Sequence, residues 1–342
     1  MGESKADLKA ARVGRICCYA RVRDRMTFSV HEFYKVDIDI LTSLGYEIVL
    51  VNSVYDLIFK RCDIYYAWWF GYGIIPTILA RISRKPVIVS GVVHSDGCRG
   101  LSGWPAVKRW IIKLTLKLAD CSIVCSTGEF ERLENFKPRR CEIVSLSVDL
   151  ARYTQGNAGR DKSILMITQL NKENVERKMV IQAIEAFANF RSAHPEFKLV
   201  ICGSPGDGVP AIMQAIERHG VQDCVVLKGR VSMEEKILFL QTAWAYFQPT
   251  SCEGFGLAIA EALACGTPVV TSPEMCVVGT YQDAVLYGDS PAALAGMLRR
   301  LAEEFGLYQE MQERGLNRVK QYSWDSRLHR YRSILADFRS KH

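Results

Sequence analysis

Two carboxylates mark the stretch Ser251–Val270, SCEGFGLAIAEALACGTPVV: Glu253 ahead of a Gly-Phe-Gly bend, and Glu261 inside an apolar helical pattern. Leu257, Ala258, Ile259, Ala260, Ala262, Leu263 and Ala264 surround Glu261 on nearly every side, so the helix reads as buried. A carboxylate there is costly unless something polar meets it. Either a ligand meets it, or a nearby Lys, Arg or run of backbone amides does. Glu253 is open to two readings as well, a ligand contact or a plain acid ahead of a helix. Gly254 and Gly256, on either side of Phe255, let backbone approach a ligand closely, and the amides running to Leu257 open a helix, a natural anion site. Upstream, Lys178 supplies a positive charge suited to a diphosphate, with Arg177 beside it.

These residues need elements to hold them. Short apolar runs alternate with helical patterns almost throughout, which predicts parallel sheets with crossover helices. In the first half the runs GRICCYA, YEIVLV, CDIYYAW, PVIVSGVV, CSIVCS and CEIVSLSV read as strands, and VHEFYKVDIDILTSLG, IPTILARI and KRWIIKLTLKLA as helices. The polar stretch Arg152–Ser163 interrupts the pattern, and the alternation restarts with SILMITQL. Two α/β domains follow, 1–155 and 156–324, with a C-terminal helix at 325–342 completing the first. Open α/β sheets bind ligands beyond the carboxyl ends of their strands. His94, which follows the strand PVIVSGVV, lies at such an edge; its other reading is a strand-end histidine satisfied by local backbone.

Bulk properties narrow the class. The 342 residues are 49% apolar and 24% charged, a globular composition. Net charge is +7, and the first 150 residues carry most of it, with 22 Lys and Arg against 16 Asp and Glu. That bias suits an anionic partner such as a membrane surface or a phosphate-bearing substrate, and is too weak to argue for nucleic acid. Twelve cysteines with no C-x-x-C pair suggest a reduced chain and no zinc. The opening MGESKADLKAARVG lacks the apolar core of a secretory signal, and Ala6 stands where a myristoylation pattern on Gly2 wants Ser or Thr. The uncharged run Ile64–Ala80 is broken by Gly71, Gly73 and Pro76, so it reads as strand, loop and helix rather than a span. A cytoplasmic location is expected, with peripheral contact at the cytoplasmic face of a membrane allowed by the basic helix carrying Lys108, Arg109, Lys113 and Lys117.

The ordered set of motifs resembles the retaining glycosyltransferases of the GT-B fold, family 4 type (glycosyl transferases group 1). The carrying pattern is P-T-S-x-E-G-F-G-L-x-x-x-E-A-x-A-x-G-x-P-V-V over Pro249–Val270, with E-R-K at 176–178, LVICG and VVLKGRVSMEE upstream in the family's order. The resemblance covers roughly 160–325 and is only topological before that. It implies two Rossmann-like parallel-sheet domains facing across a cleft. It implies a donor site of Gln169, Arg177, Lys178, Arg230, Val231, Gly254, Phe255, Gly256, Leu257 and Glu261, with Glu261 accepting from ribose hydroxyls. Glu253 and His94 would stand beside the donor sugar as the catalytic pair. Thr168-Gln169 replaces the family's Gly-Arg, so one phosphate-binding arginine is missing and Gln169 brings a hydrogen bond without charge.

The activity so implied is transfer of a hexosyl unit from a UDP- or GDP-sugar to an acceptor hydroxyl with retained configuration, in polysaccharide or glycolipid assembly. The acceptor would be a saccharide or a lipid-linked saccharide. The nucleotide sugar is substrate, and the motifs require no cofactor and no metal. Two rival readings stay open: a non-catalytic sugar-nucleotide-binding protein, and another GT-B enzyme such as a sugar-nucleotide epimerase. Asp37-Ile38-Asp39 looks like a D-x-D metal motif but lies in a helical pattern, where residues two apart face different ways. Ser126-Thr127-Gly128-Glu129 reads as a capping box. The aromatic run Tyr65, Tyr66, Trp68, Trp69, Phe70 suits either a lipid-linked acceptor or plain core.

Overall fold

The computed structural model describes residues 13–92, 104–157 and 159–339. His94 lies outside the described residues. The chain forms two units: residues 13–92, 104–147 and 325–339 make the first, and 148–157 with 159–324 the second.

The first unit holds six parallel strands, β1 (Gly14–Tyr19), β2 (Tyr46–Val51), β3 (Ile64–Trp68), β4 (Val87–Ser90), β5 (Cys121–Val124) and β6 (Cys141–Ile143), in the order β2-β1-β3-β4-β5-β6. A parallel sheet is covered on both faces, so its central strands read as unbroken apolar runs. All five residues of β3 are buried. Tyr65, Tyr66, Trp68 and Phe70 are therefore core, and Trp69 is tied to the Tyr34 hydroxyl at 2.8 Å. Of its two readings, the aromatic run takes the core one, with Trp69 half-buried.

One face of this sheet is covered by helices at Val54–Phe59, Ile74–Ser83, Ala106–Leu118 and Thr127–Glu134, through Leu57, Ala80, Ile112, Leu116 and Leu133. On helix Thr127–Glu134, Ser126 caps the Glu129 amide at 3.2 Å, while the Glu129 carboxylate pairs with Arg132 at 2.9 Å. The other face meets helices Glu32–Ser43 and Trp324–Arg339 through a polar cluster. Asp37, fully buried, accepts from Arg327 at 2.6 Å, Tyr331 at 2.8 Å, and Tyr66 and Trp68 at 2.9 Å each. Asp39, two residues on, is exposed, as the helical reading of the D-x-D triplet requires. The expected helix from Val30 to Gly45 is broken, because His31 takes extended backbone (φ −86, ψ 115) between Thr27–Val30 and Glu32–Ser43.

The second unit begins at Val148, earlier than the expected boundary at 155. The polar stretch packs rather than dangles. The Val148 amide bonds to the Tyr322 carbonyl at 2.8 Å, and Tyr153 is buried with its hydroxyl 3.3 Å from Met233 Sδ. Six parallel strands follow, β7 (Ser163–Ile167), β8 (Lys198–Cys202), β9 (Val225–Gly229), β10 (Ala245–Gln248), β11 (Val269–Thr271) and β12 (Leu286–Tyr287). Their order is β12-β11-β10-β7-β8-β9. The chain thus builds outward from β7 in one direction and from β10 in the other. The loops after these two adjacent strands diverge, which creates the crevice where such sheets hold ligands. No helix among the described residues is long and apolar enough to cross a membrane.

Candidate active site

The crevice of the second unit collects most of the expected site residues. Helix Lys172–Arg177 starts on Asn171, whose side chain accepts the Asn174 amide at 2.9 Å. It ends because Met179 takes a left-handed conformation (φ 46) before the next helix, Val180–Arg191. Arg177 and Lys178 sit at that corner. The loop after β10 is pinned to the same corner, since the Ser251 amide and the Thr250 hydroxyl donate to the Arg177 carbonyl at 2.9 and 3.2 Å.

Glu253 is thereby brought against both cations. Its Oε2 accepts a hydrogen bond from the Lys178 ammonium and lies 3.4 Å from Arg177 Nη1. The Arg177 guanidinium is also held by the Cys252 carbonyl at 3.2 Å and Asn174 Oδ1 at 2.8 Å, so its plane is fixed. Burial pushes the Lys178 pKa down; Glu253 opposes this and Arg177 reinforces it. An ammonium so placed is poorly hydrated and gains more than a surface lysine from a polyanion.

Gly256 (φ +80) turns the chain into helix Leu257–Ala264, and its carbonyl is held by the Tyr281 hydroxyl at 2.8 Å. The Ile259 and Ala260 amides donate to the Gly256 carbonyl at 2.8 and 3.2 Å, and the Leu257 and Ala258 amides ahead of them stand where a helix start suits an anion. The Phe255 ring is taken up in packing. It is buried edge-on to Tyr322 at 5.1 Å and beside Tyr281 at 6.0 Å, so what Phe255 offers a donor is its backbone. Gln169, exposed, follows β7, where β8 comes so close that a Cβ on Gly203 would fall 1.6 Å from the Thr168 carbonyl oxygen. Arg230 is exposed and Val231 half-buried just past β9.

Glu261 is buried at 6% exposure, and it has a partner within the chain: Lys236 Nζ lies 2.6 Å from its Oε2. Of the partners the sequence left open for this buried charge, a lysine is present within the chain itself. Lys236 belongs to helix Met233–Thr242, whose start is fixed by a capping box. The Glu235 amide donates to Ser232 Oγ at 3.1 Å, and the Ser232 amide to Glu235 Oε2 at 2.7 Å. The ammonium also lies over the Tyr153 ring, 5.4 Å from its centroid. Arg160 binds carbonyls that close this helix and the Glu261 helix, reaching Ala243 at 2.9 Å and Cys265 at 2.8 Å. The position of the pair is thus set by two capped helices. Sequence reasoning missed Lys236, whose only signal was being the single lysine in the apolar run after Glu235.

Gln248, at the carboxyl end of β10, was also missed. Its Oε1 accepts from the Tyr246 hydroxyl, while its buried Nε2 has no hydrogen-bond partner among the described residues. Burial raises the Tyr246 pKa, and the charge of Glu261 raises it further.

Two parallel six-stranded sheets with flanking helices and a site at a strand-order reversal define the GT-B class of fold. Sucrose-phosphate synthase from Thermosynechococcus elongatus superposes with TM-score 0.73 at 16% identity, covering 96% of this chain and all of that one. HepE of Anabaena, solved with UDP and glucose, superposes with TM-score 0.76 at 14% identity over 95% of this chain. At these identities the likeness establishes the fold. Residues 150–318, nearly the whole second unit, match the family model described as Glycosyl transferases group 1. A D-inositol 3-phosphate glycosyltransferase of Acidothermus cellulolyticus is 32% identical over 174 residues, 46% of this chain and 39% of the relative. A glycogen synthase of Mycobacterium tuberculosis is 28% identical over 232 residues, 64% of this chain and 52% of the relative. The chain spans less than two thirds of the length of these two curated relatives.

Proposed function

We propose that the protein is a nucleotide-sugar-dependent glycosyltransferase that moves a hexosyl unit to an acceptor hydroxyl with retention of configuration. The observation that carries this reading is the convergence of Lys178, Arg177 and Glu253 on one corner of the crevice, beside the glycine bend at Gly254–Gly256. The donor's diphosphate takes over Lys178 and Arg177, with further hydrogen bonds from Gln169 and the amides that open helix Leu257–Ala264. Glu253, relieved of its two cations, turns to the donor sugar. Glu261 accepts from ribose hydroxyls, and Arg230 and Val231 flank the base.

Catalysis in this reading is stabilisation of the charge that develops on the leaving diphosphate. Front-side attack, with that diphosphate taking the acceptor's proton, gives retention without a covalent sugar–enzyme intermediate. No metal and no cofactor take part. The similar proteins are named a D-inositol 3-phosphate glycosyltransferase and a glycogen synthase, which is consistent with a polyol or saccharide acceptor here. We assign the acceptor to saccharides or lipid-linked saccharides in polysaccharide or glycolipid assembly, at the cytoplasmic side of a membrane.

One observation favours a second reading. Lys236 already balances Glu261, so this carboxylate does not require a ribose, and a sugar-nucleotide-binding protein without turnover fits too. Incubation with UDP- and GDP-hexoses and a panel of saccharide acceptors separates the two. Release of nucleoside diphosphate with the anomeric configuration, read from the anomeric proton coupling, unchanged from donor to product supports the transferase. Tight nucleotide binding with no product, from any donor and acceptor, supports the second reading instead.

A further inference from the structure

The first unit carries a surface that the proposed transfer does not use. Helices Val54–Phe59, Ile74–Ser83 and Ala106–Leu118 lie on the same face of its sheet, where Leu57, Ala80, Ile112 and Leu116 pack into one cluster with Cys17, Tyr19, Tyr65 and Ala67. The middle helix touches both of the others. Their outward faces are apolar to an unusual degree. Phe59 is 67% exposed, Ile82 76% and Trp110 63%, with Tyr55, Ile58 and Ile78 exposed beside them. Isolated exposed apolar residues need no explanation, but a cluster shared by three adjacent helices marks an interaction site.

The charges on the second and third of these helices are all of one sign, and the acid of the first, Asp56, is paired with Arg25. Residues 74–92 and 104–119 contain seven Lys and Arg and no Asp or Glu. Arg84, Arg109, Lys113 and Lys117 are exposed and have no acidic partner among the described residues. Trp110, Lys113 and Lys117 follow one another at spacings of three and four, so one stripe of the helix carries both the indole and the ammonium groups. Lys108 arches over the Trp104 ring, 4.1 Å from its centroid.

We infer that this three-helix face docks on an anionic lipid bilayer. Exposed aromatic and branched side chains between lysines and arginines suit the boundary between headgroups and acyl chains, and the basic groups meet the surface charge. A second copy of the chain is a poorer occupant, since pairing the face with itself would set like charges against each other. The inference stands apart from the transferase reading, because binding to vesicles is measured without any donor.

Flotation of the full chain with vesicles tests it, comparing phosphatidylcholine alone with an equimolar mixture of phosphatidylcholine and phosphatidylglycerol. The chain is expected to float with the mixed vesicles, to be released as salt rises, and to stay behind with phosphatidylcholine. Replacing Lys113→Gln and Lys117→Gln together should lower the partition roughly thirtyfold, at about fivefold for each basic residue. The pair Trp110→Ser and Ile82→Ser should lower it as well, with thermal unfolding unchanged because all four side chains are exposed. The inference is overturned if the wild type ignores the mixed vesicles at low salt, floats equally with neutral ones, or is matched by the variants. A dimer in solution that Trp110→Ser dissociates would also overturn it, by assigning the face to a second copy.

Discussion

Lys236 Nζ lies 2.6 Å from Glu261 Oε2, so the carboxylate embedded in the apolar helix of the second unit is paired with a lysine from a neighbouring helix. In the proposed donor complex the carboxylate of Glu261 also accepts from ribose hydroxyls. Lys236 acts there through Glu261, as a positioning residue, and the pair supplies the first prediction.

Lys236→Met should strand the Glu261 charge. Breaking a buried pair by removing one partner costs about 3–5 kcal/mol, and because Lys236 keeps 20% exposure we expect about 2–4 kcal/mol. The double variant Lys236→Met, Glu261→Met should recover most of this loss, since replacing both charges by apolar groups is far cheaper than removing one. Urea unfolding of the two variants measures the difference. A single variant as stable as the wild type would contradict the pairing.

Lys178 gives a pH dependence with a definite sign. Its folded-state pKa is pushed below the ordinary 10.5, so its charge is lost at lower pH than that of a free lysine. Affinity for a nucleoside diphosphate should therefore fall as pH rises into the range below 10.5, and Lys178→Arg should remove the fall. The stability contribution runs the other way. The unfolded chain binds more protons at this group, so this contribution grows as pH rises through the same window. Titration calorimetry across alkaline pH gives the affinity profile; a flat profile in the wild type would show that Lys178 does not carry the diphosphate.

Gly256 should tolerate no side chain. At φ +80 an added Cβ is strained whatever the space, costing about 1–2 kcal/mol, and it would stand 3.1 Å from Ile259 Cδ1. Because Gly256 sets the direction of the amides that open the Glu261 helix, Gly256→Ala should weaken nucleotide binding by more than its stability loss explains. Equal binding by the variant, measured well below its melting temperature, would remove the glycine bend from the site.

Arg327 should prove the anchor of the C-terminal helix. With Arg327 and Asp37 both almost fully buried, Arg327→Met leaves Asp37 with only neutral donors, at a cost of about 3–5 kcal/mol. Hydrogen exchange should quicken along Trp324–Arg339 ahead of the sheet it covers. Unchanged protection of that helix would mean that packing, and not the ion pair, holds it.

How much of this was legible in sequence depends on whether a partner lies nearby along the chain. The alternation of apolar runs and helical patterns is local, and both parallel sheets follow from it. Glu253, Gly254 and Gly256 share one loop, and Arg177 with Lys178 share one corner, so each cluster could be read, although their meeting is long-range. The partner of Glu261 could not be chosen. A ligand, a lysine or a row of amides satisfies a buried carboxylate equally well on paper, and Lys236 lies on another element whose pattern carries no hint of its direction. Phe255 shows a related ambiguity. A residue inside a glycine bend can present its ring or its backbone to a ligand, and here Tyr281 and Tyr322 claim the ring. The aromatic run on β3 left two readings open because a strand covered on both faces shows no alternation to mark it as core.

The most direct test of the account is thermal unfolding of the wild type and of Glu261→Gln with UDP, GDP and ADP. A nucleotide at about a hundred times its dissociation constant should add roughly 2.7 kcal/mol of stability. The account predicts a rise in melting temperature for one base in the wild type and a much smaller rise for the same base in Glu261→Gln. No rise with any of the three, or an equal rise in both proteins, would contradict the assignment of Glu261 to the nucleotide.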